Sequence, residues 1–212
     1  MITFASRITL ARLLLVPVFA VLAIYYGISI EEKHPEEWLR WAAMTAFIVA
    51  AASDGLDGFI ARRFNQRSHF GAIIDPIADK ALLLTAIITL SLVDWGPDGW
   101  SIPLWFAALV IARDCTILGG IALLHFLHHP VRIAPSWTGK VCTFTQMVAI
   151  GWVMLRAHPL SPIYPVSVAA VFTVWSGVDY IRAGLRQFGE AGANERQEAG
   201  EETQETRDKK QD

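Results

Sequence analysis

The sequence has little charge, almost no cysteine and no excess of basic residues. Only 18% of its 212 residues are charged, against about 25% in a typical soluble domain. Its two cysteines, Cys115 and Cys142, lie in apolar stretches, which indicates small buried hydrophobes and excludes a disulfide-stabilised scaffold. A net charge of -2 excludes a generally basic nucleic-acid-binding protein, so we expect no nucleic-acid partner.

Apolar residues dominate the chain instead. Hydrophobic residues make up 53% of it, and the mean hydropathy is +0.38. Six apolar stretches each have the ~20 residues that a helix needs to cross a bilayer. They fall near residues 8–28, 39–62, 71–93, 103–127, 135–156 and 162–186. We therefore predict an all-α integral membrane protein with six transmembrane helices.

The basic residues predict the orientation of these helices. If six helices alternate in direction, one side of the membrane receives Arg7, Arg62, Arg63, Arg67, Arg132, Arg182 and Arg186. An excess of basic residues marks the cytoplasmic side, so both termini are predicted to be cytoplasmic. From residue 188 the chain is polar, with almost no apolar residues to offset the entropy of ordering. We predict a membrane domain over 1–187 and a disordered cytoplasmic tail over 188–212.

Four aspartates interrupt the second and third apolar stretches. Asp54 and Asp57 are i, i+3, and Asp75 and Asp79 are i, i+4, so each pair shares one face of its helix. A polar turn joins the two stretches and brings the pairs opposite each other near the cytoplasmic interface. A carboxylate at membrane depth costs roughly 2.5–3.5 kcal/mol, which a divalent cation offsets. Oxygen-only donors suit Mg²⁺ or Mn²⁺, and this set suffices for two ions.

Small and basic residues accompany the first aspartate pair. Gly58 and Ala61 share its helical face, where a glycine lets a flat ligand or a neighbouring backbone approach closely. Arg62 can bind a phosphate through two parallel hydrogen bonds. Helix packing is the alternative explanation for the small residues, and a solvated helix end for a lone Asp-x-x-Asp. Neither explanation accounts for aspartates, small residues and Arg62 that occur together in helical register. Their joint occurrence therefore indicates a functional site.

This pattern resembles the signature of the CDP-alcohol phosphatidyltransferase family. The sequence reads Asp54-x-x-Asp57-Gly58-x-x-Ala61-Arg62, then eight residues, then Gly71-x-x-x-Asp75-x-x-x-Asp79, and it matches every fixed position. The resemblance covers residues 4–187. It implies a six-helix membrane domain that is usually dimeric and exchanges the CMP of a CDP-linked lipid for an alcohol. We expect a multi-pass protein of the bacterial inner membrane, among membrane lipids, with a cytoplasmic active site.

The resemblance also implies a role for each residue of the motif. Asp54 and Asp75 would bridge two Mg²⁺ or Mn²⁺ ions, and Asp57 would bind the first. Asp79 would bind the second ion and act as the general base towards the acceptor hydroxyl. The residues implied to line the CDP-lipid site are Gly58, Ala61, Arg62, Ser68 and Gly71. A further family element near the diphosphate, Asn-x-x-Thr-x-x-Arg, corresponds to Ser6, Thr9 and Arg12, with serine in the place of asparagine.

Basic residues further along the chain indicate the acceptor. The stretches around Lys80, Arg113 and Lys140 resemble those of the family's phosphatidylglycerophosphate synthases, whose acceptor is glycerol 3-phosphate. Arg113, Lys140 and Arg182 are predicted near the cytoplasmic ends of helices four to six, where they could converge on a phosphate. Snorkelling to the interface is the alternative for each. Cardiolipin synthases share much of this pattern, and Asp114 is more typical of them, so phosphatidylglycerol stays open as the acceptor.

Two other classes of membrane protein use acidic motifs. Intramembrane prenyltransferases bind diphosphates through Asp-rich motifs, but these lie far apart in the chain, whereas both pairs here fall within residues 54–79. A cation transporter would use the carboxylates as its ion path, but it would not need Gly58, Ala61 and Arg62 in register. We therefore expect a metal-dependent phosphatidyltransferase that acts on CDP-diacylglycerol.

Overall fold

The computed structural model describes the backbone of residues 4–64, 69–96, 99–126, 137–156 and 160–208. Side chains are described for residues 11–53, 80–96, 99–123, 126, 137–156 and 160–186. These residues form six α-helices and no strand, which confirms the all-α prediction. The helices are α1 (Phe4–Glu31), α2 (Glu37–Phe64), α3 (His69–Leu92), α4 (Leu104–Phe126), α5 (Trp137–Leu155) and α6 (Ile163–Asp208).

Each helix coincides with one of the predicted apolar stretches. Within the described residues, two segments are long and apolar enough to cross a membrane, Ala11–Glu31 and Leu104–Leu123. The prediction of six membrane spans is therefore not confirmed in number. Large apolar side chains are nevertheless exposed on all six helices, among them Leu14, Ile48, Leu92, Leu118, Phe144 and Trp175. Exposed apolar surface on this scale is typical of a protein surrounded by lipid.

The central helix of the bundle is α3. It packs against α1 and α2 on one side and contacts α4 and α5 on the other, while α6 packs against α4 and α5. Its residues Leu82, Ile87 and Leu90 are almost fully buried in the main core, beside Phe19 of α1 and Phe106 of α4. The helix that carries Asp75 and Asp79 thus joins the α1–α2 pair to the α4–α6 group.

At the end of the bundle where α1, α3 and α5 terminate, Arg156 joins four parts of the chain. Its Nε donates to the Trp95 carbonyl at 2.8 Å, its Nη1 to Glu37 Oε1 at 3.1 Å and its Nη2 to the Tyr26 hydroxyl. We call Tyr26, Glu37, Trp95 and Arg156 the Arg156 cluster. The indole of Trp95 also donates to the Met154 carbonyl at 3.1 Å. The cluster therefore fixes the ends of α1, α2 and α5 against the α3–α4 connection.

The final helix extends further than the sequence predicts. The backbone of α6 is helical to Asp208, through most of the segment that was expected to be a disordered tail. The physical reason is the abundance of glutamate, glutamine, alanine and arginine in this segment, all of which have high helix propensity. The division into a domain over 1–187 and a tail over 188–212 stays a prediction. Both cysteines are free thiols, and Cys142 is buried as predicted. Cys115 is exposed on α4, so the prediction of a buried hydrophobe is wrong for this residue.

Replacement of Arg156 by glycine tests how much the Arg156 cluster stabilises this end of the bundle. The test is possible because the φ of Arg156 is +50°. Glycine adopts such a φ more readily than arginine, so any loss of stability in Arg156→Gly reports the lost side-chain contacts. We expect a loss of about 2–3 kcal/mol from its charge-assisted hydrogen bonds. The corresponding fall in Tm of the protein in detergent is roughly 4–12 °C.

Lys33→Gly is the matched control, since Lys33 has a φ of 60° and an exposed side chain. Its Tm should be unchanged or slightly higher. An Arg156→Gly protein as stable as Lys33→Gly would show that the Arg156 cluster contributes nothing.

Candidate active site

The aspartate motif lies on two continuous helices. The backbone of α2 is helical through Asp54 and Asp57, and that of α3 through Asp75 and Asp79, so the helical spacing assumed for each pair holds. The two helices contact each other. The four side chains lie outside the described part of the structure, and their roles as metal ligands and base stay predictions. Among the described side chains, no group of three or more His, Cys, Asp or Glu residues could hold a metal ion.

The residues predicted to line the CDP-lipid site are distributed over the same helices. Gly58, Ala61 and Arg62 belong to α2, and Gly71 to the first turn of α3. The backbone of Ser6 and Thr9 is in the first turns of α1, and Ser68 lies outside the described residues. Arg12 is the one member of this set with a described side chain.

Arg12 is completely buried on α1. A guanidinium is stable in such a place only when it is hydrogen-bonded or paired with negative charge. Its helix packs against both α2 and α3, the two helices that carry the aspartates. Burial at this point of the bundle is compatible with the predicted role of Arg12 beside the diphosphate.

Three basic residues converge on a cavity between α3, α4, α5 and α6. Its volume is ≈ 480 Å³, and its lining consists of Lys80, Arg113, Gly139, Lys140, Thr143, Phe144, Met147 and Tyr180. Cavities of about 300–1,000 Å³ commonly bind small molecules. The cavity therefore joins two of the predicted acceptor residues, Arg113 and Lys140, and adds Lys80.

Arg113 is fixed on three sides. Its Nη1 lies 2.7 Å from Asp114 Oδ1, and its Nη2 donates to Ser176 Oγ at 2.6 Å. The centre of its guanidinium lies 5.5 Å from the centroid of the Tyr180 ring, a cation–π distance. The side chain is only 9% exposed, and its Nε has no hydrogen-bond partner among the described residues. A rigid arginine that lines a cavity together with two lysines is suited to binding an anion.

Asp114 also binds Lys80 from the neighbouring helix. Lys80 Nζ donates to both carboxylate oxygens, each at 2.7 Å. Lys80, Arg113 and Lys140 line the cavity, and Asp114, which pairs with the first two, is the one carboxylate that pairs with any of them among the described residues. The formal charge of this group is therefore +2.

Comparison with known proteins places the chain in a family. The family model described as CDP-alcohol phosphatidyltransferase matches residues 2–177. The chain belongs to the CDP-alcohol phosphatidyltransferase family. The predicted resemblance is confirmed, and the prenyltransferase and transporter alternatives are set aside.

Individual relatives agree with this assignment. A protein of Escherichia coli (strain K12) is 39% identical over 181 residues, which cover 84% of this chain and 92% of the relative. A protein of Shigella sonnei is equally similar over the same shares, and one of Shigella flexneri serotype 5b is 38% identical over them. All three are named CDP-diacylglycerol–glycerol-3-phosphate 3-phosphatidyltransferase.

Two details of the acceptor residues in this phosphatidyltransferase differ from the sequence expectation. Arg113 lies near the middle of α4 (Leu104–Phe126) and not near either end of the helix. Its contacts with Asp114 and Ser176 make a charge at this depth tolerable, as intramembrane charges require. Arg182 is exposed on α6 and is not part of the cavity lining, so the structure does not bring it together with the other two.

Lys80 stands in one of the stretches that carry the family resemblance, but it was not predicted from the sequence as an acceptor residue. Its signal was nevertheless present, because it is a basic residue that directly follows Asp79 inside an apolar stretch. Such a charge needs a partner on another helix. The partner, Asp114, is 34 residues away in the chain, and only the packing of α3 against α4 identifies it.

Polar contacts between α5 and α6 support the cavity wall. Thr138 Oγ1 donates to Asp179 Oδ2 at 2.8 Å, and the buried amide of Gln146 donates to Thr173 Oγ1 at 3.2 Å. Interhelical hydrogen bonds of this kind fix the rotation of helices that have little else to distinguish one apolar face from another. Lys140 on α5 and Tyr180 on α6 are held in register by these contacts.

Proposed function

We propose that this protein transfers the phosphatidyl group of CDP-diacylglycerol to glycerol 3-phosphate, which releases CMP and forms phosphatidylglycerophosphate. The observation that carries the acceptor assignment is the convergence of Lys80, Arg113 and Lys140 on the lining of one cavity. The acceptor named in the relatives carries a phosphate monoester. A dianion of this kind matches the formal +2 charge of the cavity group.

The position of Lys80 relates the cavity to the aspartate motif. Lys80 lines the cavity, and the residue before it is Asp79. An acceptor phosphate bound at Arg113 and Lys140 would therefore lie close along α3 to the proposed general base. Asp79 would remove the proton from the acceptor hydroxyl, and a base in this role typically contributes 10²–10⁴-fold to the rate.

The donor set of the motif fits two divalent cations. Carboxylates on the contacting helices α2 and α3 are hard oxygen ligands, which suit Mg²⁺ or Mn²⁺. Asp54, Asp57, Asp75 and Asp79 would hold the ions. Such ions neutralise a diphosphate and make CMP a better leaving group. Ser6, Thr9, Arg12, Gly58, Ala61, Arg62, Ser68 and Gly71 would hold the CDP-lipid.

The membrane location proposed for the enzyme follows from its exposed apolar side chains and from its lipid-linked substrate. Exposed apolar side chains on all six helices support six membrane spans, and a lipid-linked substrate requires access from the bilayer. We propose a multi-pass protein of the bacterial inner membrane with the active site and both termini in the cytoplasm. A homodimer is part of the proposal by analogy with the family alone.

The acceptor is tested by supplying purified protein in detergent with CDP-diacylglycerol, Mg²⁺ or Mn²⁺, and one labelled acceptor at a time. Glycerol 3-phosphate should react with release of CMP, and phosphatidylglycerol, serine and inositol phosphate should not. Removal of the metal with a chelator should abolish turnover. If only phosphatidylglycerol reacts, the protein is a cardiolipin synthase and the proposal is wrong.

Lys140→Ala tests the cavity as the acceptor site. Lys140 is exposed at the cavity, so its removal should spare the fold. A charge-assisted contact contributes roughly 1.5–3 kcal/mol, so we expect the KM for glycerol 3-phosphate to rise about ten-fold or more. The KM for CDP-diacylglycerol should barely change.

The control for this experiment is Lys33→Ala, which removes an exposed cation from the turn between α1 and α2. It should leave both KM values at the wild-type level. If both constants rise together in Lys140→Ala, the cation serves the nucleotide or the fold. Arg182→Ala, measured alongside, decides whether this third predicted cation has any part in acceptor binding.

Asp79→Asn tests the proposed base. The amide cannot accept the hydroxyl proton, so turnover should fall by about 10²–10⁴-fold, while binding of the CDP-lipid is largely retained. The measurement is a single-turnover rate together with binding of labelled CDP-diacylglycerol. Near-normal turnover would remove Asp79 from the mechanism.

A further inference from the structure

Asp114 occupies an unusual position for a carboxylate. It is only 9% exposed and lies near the middle of α4. Its two oxygens accept hydrogen bonds from Lys80 on α3, and one of them also accepts from Arg113. A single buried carboxylate thus holds two of the three cations of the acceptor cavity.

The two cations depend on this carboxylate to different degrees. Arg113 has further contacts on α6, where Ser176 accepts from its Nη2 and Tyr180 faces its guanidinium. The Lys80 side chain is 46% exposed, and the contact with Asp114 is the one ion pair it makes among the described residues. A long, half-exposed lysine has many accessible rotamers, so Asp114 is what keeps its ammonium at the cavity wall.

The contact also sets the spacing between two helices. Lys80 directly follows Asp79 on α3, and Arg113 directly precedes Asp114 on α4. The pair Lys80–Asp114 therefore ties the helical turn of the proposed base to the helical turn of the proposed phosphate-binding arginine. Direct packing between α3 and α4 is less extensive than that of α3 against α1, so a specific contact is needed to fix this spacing.

We infer that Asp114 is a positioning residue, which fixes the distance between the base on α3 and the acceptor phosphate on α4. The inference rests on the proposed function, because it assumes that the cavity binds glycerol 3-phosphate. Transfer requires the acceptor hydroxyl at Asp79 while the phosphate is held at Arg113. Misplacement by about 1 Å can cost 10²-fold in rate, so a loosened pair should affect turnover more than binding.

The test compares Asp114→Asn, Asp114→Glu and Glu37→Gln in steady-state assays with glycerol 3-phosphate and CDP-diacylglycerol. Glu37→Gln is the matched control, since Glu37 is likewise a carboxylate shared by two cations, Arg40 and Arg156, but lies at the opposite end of α2 from the aspartate motif. Rates are expressed per amount of folded, monodisperse protein. This normalisation separates a loss of folding from a loss of catalysis.

We expect kcat of Asp114→Asn to fall by about 10–100-fold, with a smaller change in the KM for glycerol 3-phosphate and none in the KM for CDP-diacylglycerol. Asp114→Glu, which keeps the charge, should recover part of kcat. Glu37→Gln should lose thermal stability but keep kcat near the wild-type value. This combination supports a positioning role.

Two results would overturn it. A lower KM for glycerol 3-phosphate at unchanged kcat in Asp114→Asn would mean that the carboxylate only weakens the positive charge of the cavity. A normal kcat per folded protein, as in Glu37→Gln, would mean that Asp114 only stabilises the bundle. Failure of the proposed function is distinguishable from both, since the wild-type enzyme would then not use glycerol 3-phosphate, and the inference would fall with it.

Lys80→Gln keeps the test decisive if Asp114→Asn does not fold. Lys80 is half-exposed, so its replacement is compatible with folding. If Asp114 acts through Lys80, Lys80→Gln alone should lower kcat. Where Asp114→Asn does fold, the double variant should be no worse than the more damaged single variant. Additive losses in the double variant, or a normal kcat in Lys80→Gln, would refute the coupling.

Discussion

Charged side chains on helices with apolar outer surfaces must find their partners on neighbouring helices, because lipid offers none. This constraint organises the part of the chain that the structure describes. Arg113 is satisfied by Asp114 and by Ser176 of α6, and Lys80 reaches across from α3 to the same carboxylate. Each of these contacts fixes the rotation of one helix against another, which apolar packing alone leaves poorly specified.

A charged arginine serves different purposes in the Arg156 cluster and in the cavity. In the Arg156 cluster, the guanidinium has carbonyl, carboxylate and hydroxyl partners for its donors, and its role is to join chain segments. In the cavity, Arg113 has one buried donor without a partner in the described structure and is surrounded by further positive charge. An arginine whose donors are all paired stabilises the fold, whereas one that lines a cavity beside further cations can bind an anionic ligand.

The central position of α3 explains how the packed core, the proposed metal site and the proposed acceptor cavity are connected. Its buried residues join the core of the α1–α2 pair, and its C-terminal end is bound by the hydrogen bond from the Ile102 amide to the Leu90 carbonyl. Towards its N-terminus it carries two motif aspartates and Lys80. The proposed metal-binding side and the proposed acceptor side therefore share one rigid helix, whose packing decides how far apart their ligands lie.

The sequence alone determined the helices and the motif, since both depend on residues close together in the chain. Apolar runs of spanning length predicted the six helices to within a few residues, except for the C-terminal end of α6. The spacing of Asp54, Asp57, Asp75 and Asp79 pointed to the family that comparison then showed. The C-terminal segment combines low hydrophobicity with residues of high helix propensity, and its backbone is helical to Asp208. Tertiary structure alone decided which charges meet. Lys80 and Asp114 are 34 residues apart, and Arg113 and Ser176 are 63 apart; their pairing depends on how each helix is rotated about its own axis, and no local pattern specifies that rotation.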